Sequence, residues 1–196
     1  MTGVQTCALP ILVALPAASR GFQLAAGSAS WEDASVAEPS LRFVALGTDA
    51  PFEATNRLAA SVGPLAAADI DSDGDLDLFV GGRVIPGRYP EPAPSQLLRR
   101  EGNRFVEDSV NRELLARVGL VSGAVFSDLD LDGDPDLILA VEWGAIRILR
   151  NDSGRFVDWN WNVTSPAADA STSAPGVLSS MTGWWNGVAT GDFDGD

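Results

Sequence analysis

The stretch SDLDLDGDPDLILAV, residues 127–141, decides the fold. Aspartate stands at 128, 130, 132, 134 and 136, glycine at 133, and an apolar run follows at once. The same order occurs earlier in ADIDSDGDLDLFV, residues 68–80, where Asp69, Asp71, Asp73, Asp75 and Asp77 surround Gly74. A third copy opens as Asp192-Phe193-Asp194-Gly195-Asp196, and the chain stops at its fifth position. Counting from the first aspartate, carboxylates at positions 1, 3, 5 and 9 with glycine at 6 suit a hard cation, which takes oxygen ligands. The glycine allows the sharp turn that folds the loop around it. Position 7, here Asp75 or Asp134, is expected to give a backbone carbonyl, and water completes the shell. Calcium is favoured over magnesium, which retains waters in a strict octahedron. Without an ion, carboxylates this close would repel one another and hold raised pKa values. The EF-hand is excluded, because its bidentate glutamate at position 12 is replaced by Val80 and Leu139.

Spacing makes the loops parts of a repeat. Asp69 and Asp128 are 59 positions apart, and Asp128 and Asp192 are 64 apart. Such a period marks units that bury their faces on their neighbours. Small residues precede each loop (65–68, 124–127 and 188–190), and Leu78-Phe79-Val80 and Leu137–Val141 follow the two complete copies as buried strands. Residues 96–106 and 147–157 then align as strand, glycine-containing turn and strand, a β-hairpin. About four strands in about 60 residues is a propeller blade. The expected class is therefore all-β, a partial β-propeller of two blades plus parts of their neighbours. Residues 86–95 are proline-rich and read as a loop, residues 109–118 as a short helix capped by Ser109 with Gly119 past its end, and 165–180 as a long surface loop.

At this point the chain resembles the FG-GAP/VCBS repeats of integrin-α-like β-propellers. The phrases GDLDLFVGGRVIPGRYPEP, GDPDLILAVEWG and GWWNGVATGDFDGD are similar to bacterial VCBS-repeat proteins related to cartilage acidic protein, many of which carry an ASPIC/UnbV module. The resemblance covers about residues 60–196. It implies calcium ligands at Asp69, Asp71, Asp73, Asp75 and Asp77, at Asp128, Asp130, Asp132, Asp134 and Asp136, and at Asp192, Asp194 and Asp196 of the unfinished loop. It also implies a ring of about seven blades, the remainder of which is missing from this chain. The division expected is a signal-like or artefactual segment over 1–20, a partial preceding blade or linker over 21–60, blades over 61–120 and 121–180, and the start of a third over 181–196.

Charge and composition narrow the function. The net charge is −14, and 13 of the 27 acidic residues lie in the three loops. That balance excludes nucleic acid and anionic membranes as partners. All 13 basic residues are arginine and histidine is absent, so no imidazole base, serine triad or usual zinc site can form. Cys7 is the single cysteine, so no intrachain disulfide forms. Residues 8–19 read as the apolar core of an export signal without a positive n-region, while MTGVQTCALPI also resembles translated sequencing adapter. No stretch is apolar enough over about 18 residues to span a bilayer.

Three readings follow. The leading one is a non-enzymatic, calcium-stabilised binding or adhesion module of an exported, extracellular or periplasmic protein, with a protein or glycan ligand. The second is a propeller hydrolase, lyase or quinone-dependent dehydrogenase, with Glu142 or Glu113 as the acid outside the repeat. The third is a structural spacer of a surface protein. Of the six tryptophans, Trp184-Trp185 and Trp159-Asn160-Trp161 read as inter-blade packing before ligand platforms, and Trp143 as a strand-end plug. Asn151-Asp152-Ser153 and Asn162-Val163-Thr164 match glycosylation sequons.

Overall fold

A computed structural model describes residues 11–16, 22–27, 40–46, 53–57, 60–102, 104–160, 162–163 and 176–191. Asp192, Asp194 and Asp196 lie outside the described residues, as do Trp161 and most of the loop read over 165–180. Among the described residues no helix is long and apolar enough to cross a membrane.

The chain is all-β and built from antiparallel meanders. In the first, β1 (Ile11–Pro16), β2 (Phe22–Gly27), β3 (Ser40–Leu46) and β4 (Glu53–Arg57) pair in chain order. This sheet begins inside the segment read from sequence as signal-like. The second comprises β5 (Ser61–Ala68), β6 (Asp77–Val84), β7 (Gln96–Glu101) and β8 (Arg104–Glu107). In the third, β9 (Leu120–Ser127), β10 (Asp136–Ala145), β11 (Arg147–Asp152) and β12 (Arg155–Asp158) repeat that order. A two-stranded pair, β13 (Asn162–Val163) and β14 (Gly176–Val177), precedes β15 (Thr182–Trp184). The latter falls in the segment read as a third blade, yet it pairs with the far end of β10.

Alternation along the central strands explains how the sheets stack. In β6, Phe79 is buried towards the third sheet, with Leu97, Leu137, Leu139, Leu149 and Phe156. Its neighbours Leu78 and Val80 are buried on the opposite side, with Leu15, Leu41 and Phe43 of the first sheet. Successive side chains of a strand point to opposite faces, so a sheet covered on both faces needs an unbroken apolar run. Residues 78–80 and 137–141 supply it. Phe43 stacks on Phe105 with centroids 4.6 Å apart, closing the seam between the first two sheets.

The first strands of the sheets lie side by side, which is where the small residues sit. A Cβ added to Gly63 of β5 would fall 2.8 Å from the Val121 carbonyl of β9. One added to Gly123 of β9 would fall 2.8 Å from the Gly187 backbone. Each approach leaves no room for a side chain, and the same contact recurs from one unit to the next.

The connection between the second and third sheets differs from its sequence reading. The helix, α1 (Arg112–Leu115), is only four residues long, with Asn111 rather than Ser109 at its cap position. No side chain caps it; Asp108 Oδ1 accepts the amides of Val110 and Asn111 at 2.6 and 3.0 Å, in the turn before the helix. An Asx turn thus takes up the residues read as the start of the helix.

Candidate metal centre

The two complete aspartate loops are the hairpin connections β5–β6 and β9–β10, and they are built alike. Residues at position 4, Ser72 and Leu131, have φ of 59° and 61°, and the glycines at position 6 have φ of 91° and 97°. The glycine amides donate to the position-1 carboxylates, Gly74 to Asp69 at 2.9 Å and Gly133 to Asp128 at 3.0 Å. Position-5 carboxylates accept from position 7, Asp73 from the Asp75 amide and Asp132 from the Asp134 amide. These bonds curl each loop so that its carboxylates converge.

Position 9 staples the loop to the sheet. Asp77 Oδ1 accepts the Arg100 amide of β7 at 2.8 Å, and Oδ2 accepts the Ile70 amide. Asp136 repeats both contacts with Asn151 of β11 and Leu129, at 2.9 and 3.0 Å. Both side chains are buried. Burial pushes the Asp77 carboxyl up to about 6 against the opposing Arg100 amide and the Arg99 charge, and the Asp136 carboxyl also rises mainly through burial.

The oxygens brought together differ between loops. In the first, Asp69, Asp71 and Asp73 each place a carboxylate oxygen within 4.8 Å of the others. In the second, Asp128, Asp130 and Asp136 do so. Asp134 turns away, its Oδ2 accepting the Ser153 amide at 2.8 Å. The side chains of Asp75 and Asp132 belong to neither cluster, nor does Asp77, which faces Arg99 at 3.5 Å.

Neutralisation separates the loops further. Arg99 of β7 sets Nη1 2.6 Å from Asp71, close in distance though not aligned as a hydrogen bond, while Nε binds Asp108 at 2.8 Å. Its equivalent in the next blade, Arg150, stands 3.7 Å from Asp130 and is more exposed. Asp128 Oδ1 is buried without a hydrogen-bond partner among the described residues. A buried carboxylate oxygen left without a donor is costly. A hard cation among Asp128, Asp130 and Asp136 would satisfy it. The residues therefore fit an oxygen-liganded divalent ion, the second loop better than the first.

The raised Asp77 and Asp136 carboxyls give a pH dependence. Each binds its proton more tightly folded than unfolded, so metal-free folding takes up protons, for Asp77 between about pH 4 and 6. Stability from these groups is fullest below that window and is lost as pH rises through it. Urea unfolding of the metal-free protein should show stability greater at pH 5 than at pH 7, by about 1.3 kcal/mol for the Asp77 shift. Asp108 behaves oppositely. Burial would raise it, but the Arg99 guanidinium and the Asn111 and Val110 amides outweigh that and hold it low, so its stabilisation fades only below about pH 4.

Several residues around the loops escape a motif reading. Arg99 Nη2 donates to the Gly154 carbonyl of the next sheet at 2.7 Å. Asn111, buried, donates to the same carbonyl and accepts the Phe156 amide. Asn151 Nδ2 donates to the Ile70 carbonyl of the first loop, and its Oδ1 accepts the Gly154 amide. Fully buried and doubly bonded, Asn151 cannot carry a glycan, so its sequon is coincidental. The signal available was the mismatch inside the aligned hairpins: Arg100 stands in one and Asn151 in the other, at the position whose amide binds position 9.

Comparison with known proteins agrees with this architecture. None of the curated proteins compared with the chain matches it. A family model, described as an FG-GAP-like repeat, matches residues 128–196, beginning at the first aspartate of the second loop. Residues 128–196 thus match an FG-GAP-like repeat, and residues 61–107 form a second four-stranded meander whose first connection is an aspartate loop of the same geometry.

Proposed function

We propose that the chain is a calcium-binding segment of a β-propeller from an exported protein, and that it is a non-catalytic binding or adhesion module. The observation that carries the metal reading is the buried, unpartnered Oδ1 of Asp128 beside Asp130 and Asp136. The recurrence of one loop geometry in successive blades supports a structural rather than catalytic role, since a reaction centre is unique whereas a scaffold ion repeats with its unit. In this reading calcium holds each loop rigid and leaves recognition to other surfaces of the blades. Asp69, Asp71 and Asp73 would hold an ion in the first loop with Arg99 competing for Asp71, and Asp192, Asp194 and Asp196 belong to the same series.

The test is calcium titration by calorimetry with parallel thermal melts. Calcium at about 100 times its Kd should stabilise the fold by about 2.7 kcal/mol per site. Asp128→Asn should weaken the tighter site at least about tenfold, equivalent to about 1.4 kcal/mol. No change in melting at millimolar calcium would sink the metal reading.

A further inference from the structure

At the end of the blades away from the aspartate loops lies a cleft of about 830 Å³, and we propose that it binds a short neutral saccharide. Tyr89, Val118, Leu120, Val141, Trp143 and Arg147 are among its lining residues. The proposal deepens the reading of the chain as a binding module, but does not depend on the cation loops. Seven residues of β10 separate Asp136 from Trp143, roughly 20 Å along a strand.

The aromatic rings stand outside the core. Trp143 is 57% exposed, Trp184 60% and Tyr89 48%. The expected plug at the strand end is therefore not what Trp143 forms. It sits at a bulge where the β10–β15 register shifts between Glu142 and Gly144, with φ of 61°. A bulky residue in left-handed backbone is strained, and such strain persists where the surroundings impose it. Here the ring is fixed by its indole N–H, which donates to the Tyr89 hydroxyl, and by Trp184, whose centroid is 4.8 Å away at 39°. Tyr89 in turn donates to Glu142 Oε1 at 2.9 Å. Trp143 and Tyr89 thus line the cleft as fixed, solvent-facing rings, with Trp184 outside the lining and packed against Trp143.

Charge decides the ligand class. Glu142 is paired with Arg83 at 2.5 Å, and Arg147 is paired with Asp158. Arg83 lies outside the lining and neutralises Glu142 from within the protein, where that carboxylate is 4% exposed, so Arg147 and Asp158 are the charged groups open to a ligand, and they neutralise each other. A cationic or anionic ligand gains little there, whereas hydroxyl groups can bond to both members of that pair. The C–H face of a pyranose is apolar and weakly positive, complementary to the negative face of an indole. Apolar walls with a few placed polar groups and a volume within about 300–1,000 Å³ are the usual form of a small-ligand site.

The experiment titrates the full chain with maltotriose, cellotriose, mannotriose, xylotriose and N-acetylchitotriose, following tryptophan fluorescence and heat. We expect at least one to saturate with a Kd below about 1 mM. Trp143→Gly and Trp184→Ala should each weaken it at least tenfold. Because glycine accepts the left-handed backbone, Trp143→Gly should melt within about 4 °C of the wild type, a small shift for a chain of this size. If none of the five saturates by about 10 mM, the proposal is overturned. It is equally overturned if Trp143→Gly lowers melting by more than about 10 °C without affecting saccharide heat, which would assign the rings to packing against a polypeptide. Chelation should leave the saccharide Kd within about threefold, so failure of the calcium reading and failure of this one give different results.

Discussion

Arg99→Met should lower the melting temperature by about 10 °C, by far more than loss of a surface arginine would. Removing one partner from a buried ion cluster costs about 3–5 kcal/mol, because the remaining charges stay desolvated. Each kcal/mol is worth about 2–4 °C in a chain of this length. Arg99 is four-fifths buried and faces Asp71, Asp77 and Asp108, two of which are almost fully buried. It also holds the Gly154 carbonyl in the neighbouring sheet. The arginine thus cements both a loop and a blade seam. A double-mutant cycle with Asp108→Asn checks the assignment: the pair should lose less than the sum of the single losses, by about 1–3 kcal/mol. Additive losses would show that Arg99 acts by packing alone. Calcium should partly rescue Arg99→Met, since an ion in the first loop supplies charge next to Asp71.

Asp136→Ala removes the acceptor of two backbone amides, those of Asn151 and Leu129, and should cost about 3 kcal/mol of metal-free stability. It also removes one of the three oxygens clustered in the second loop. Asp136→Asn separates the two roles. Its carboxamide oxygen still accepts a backbone amide, and it spares the fold a buried charge, so metal-free stability should fall by less than about 1 kcal/mol. Its calcium response should nevertheless fall as far as that of the alanine variant. Urea unfolding with and without calcium reads both, and equal metal-free losses in the two variants would contradict the stapling role.

The blades were legible because two signals repeat in register. Alternate aspartates around glycine fix the hairpin loop, and the apolar runs at 78–80 and 137–141 report strands covered on both faces. The first strand of the sheet over Ile11–Arg57 was not legible, since ILVALP has the composition of an export signal, while its other strands fall in the segment read as a partial preceding blade or linker. The helix read over 109–118 is one turn long, since Asp108 holds the amides of Val110 and Asn111 in a turn ahead of it. Within the site, motif counting turns the carboxylates of positions 1, 3, 5 and 9 inward and takes a backbone carbonyl from position 7. It cannot see that Asp134 is drawn off by Ser153 or that Arg99 reaches Asp71 from two strands away, because both depend on the neighbouring hairpin.

The hydrogen bond from Asn151 to the Ile70 carbonyl joins the backbone of one aspartate loop to a strand of the following sheet. Together with the Arg99 and Asn111 contacts to Gly154, it crosses the boundary between units rather than lying inside one. A force that draws two blades apart must therefore break these bonds together, loaded in parallel, and not peel them one by one. If an ion stiffens the loop that carries Ile70, it also sets how evenly that load is shared. Calcium would then govern the tension at which the two units part, besides the temperature at which they melt.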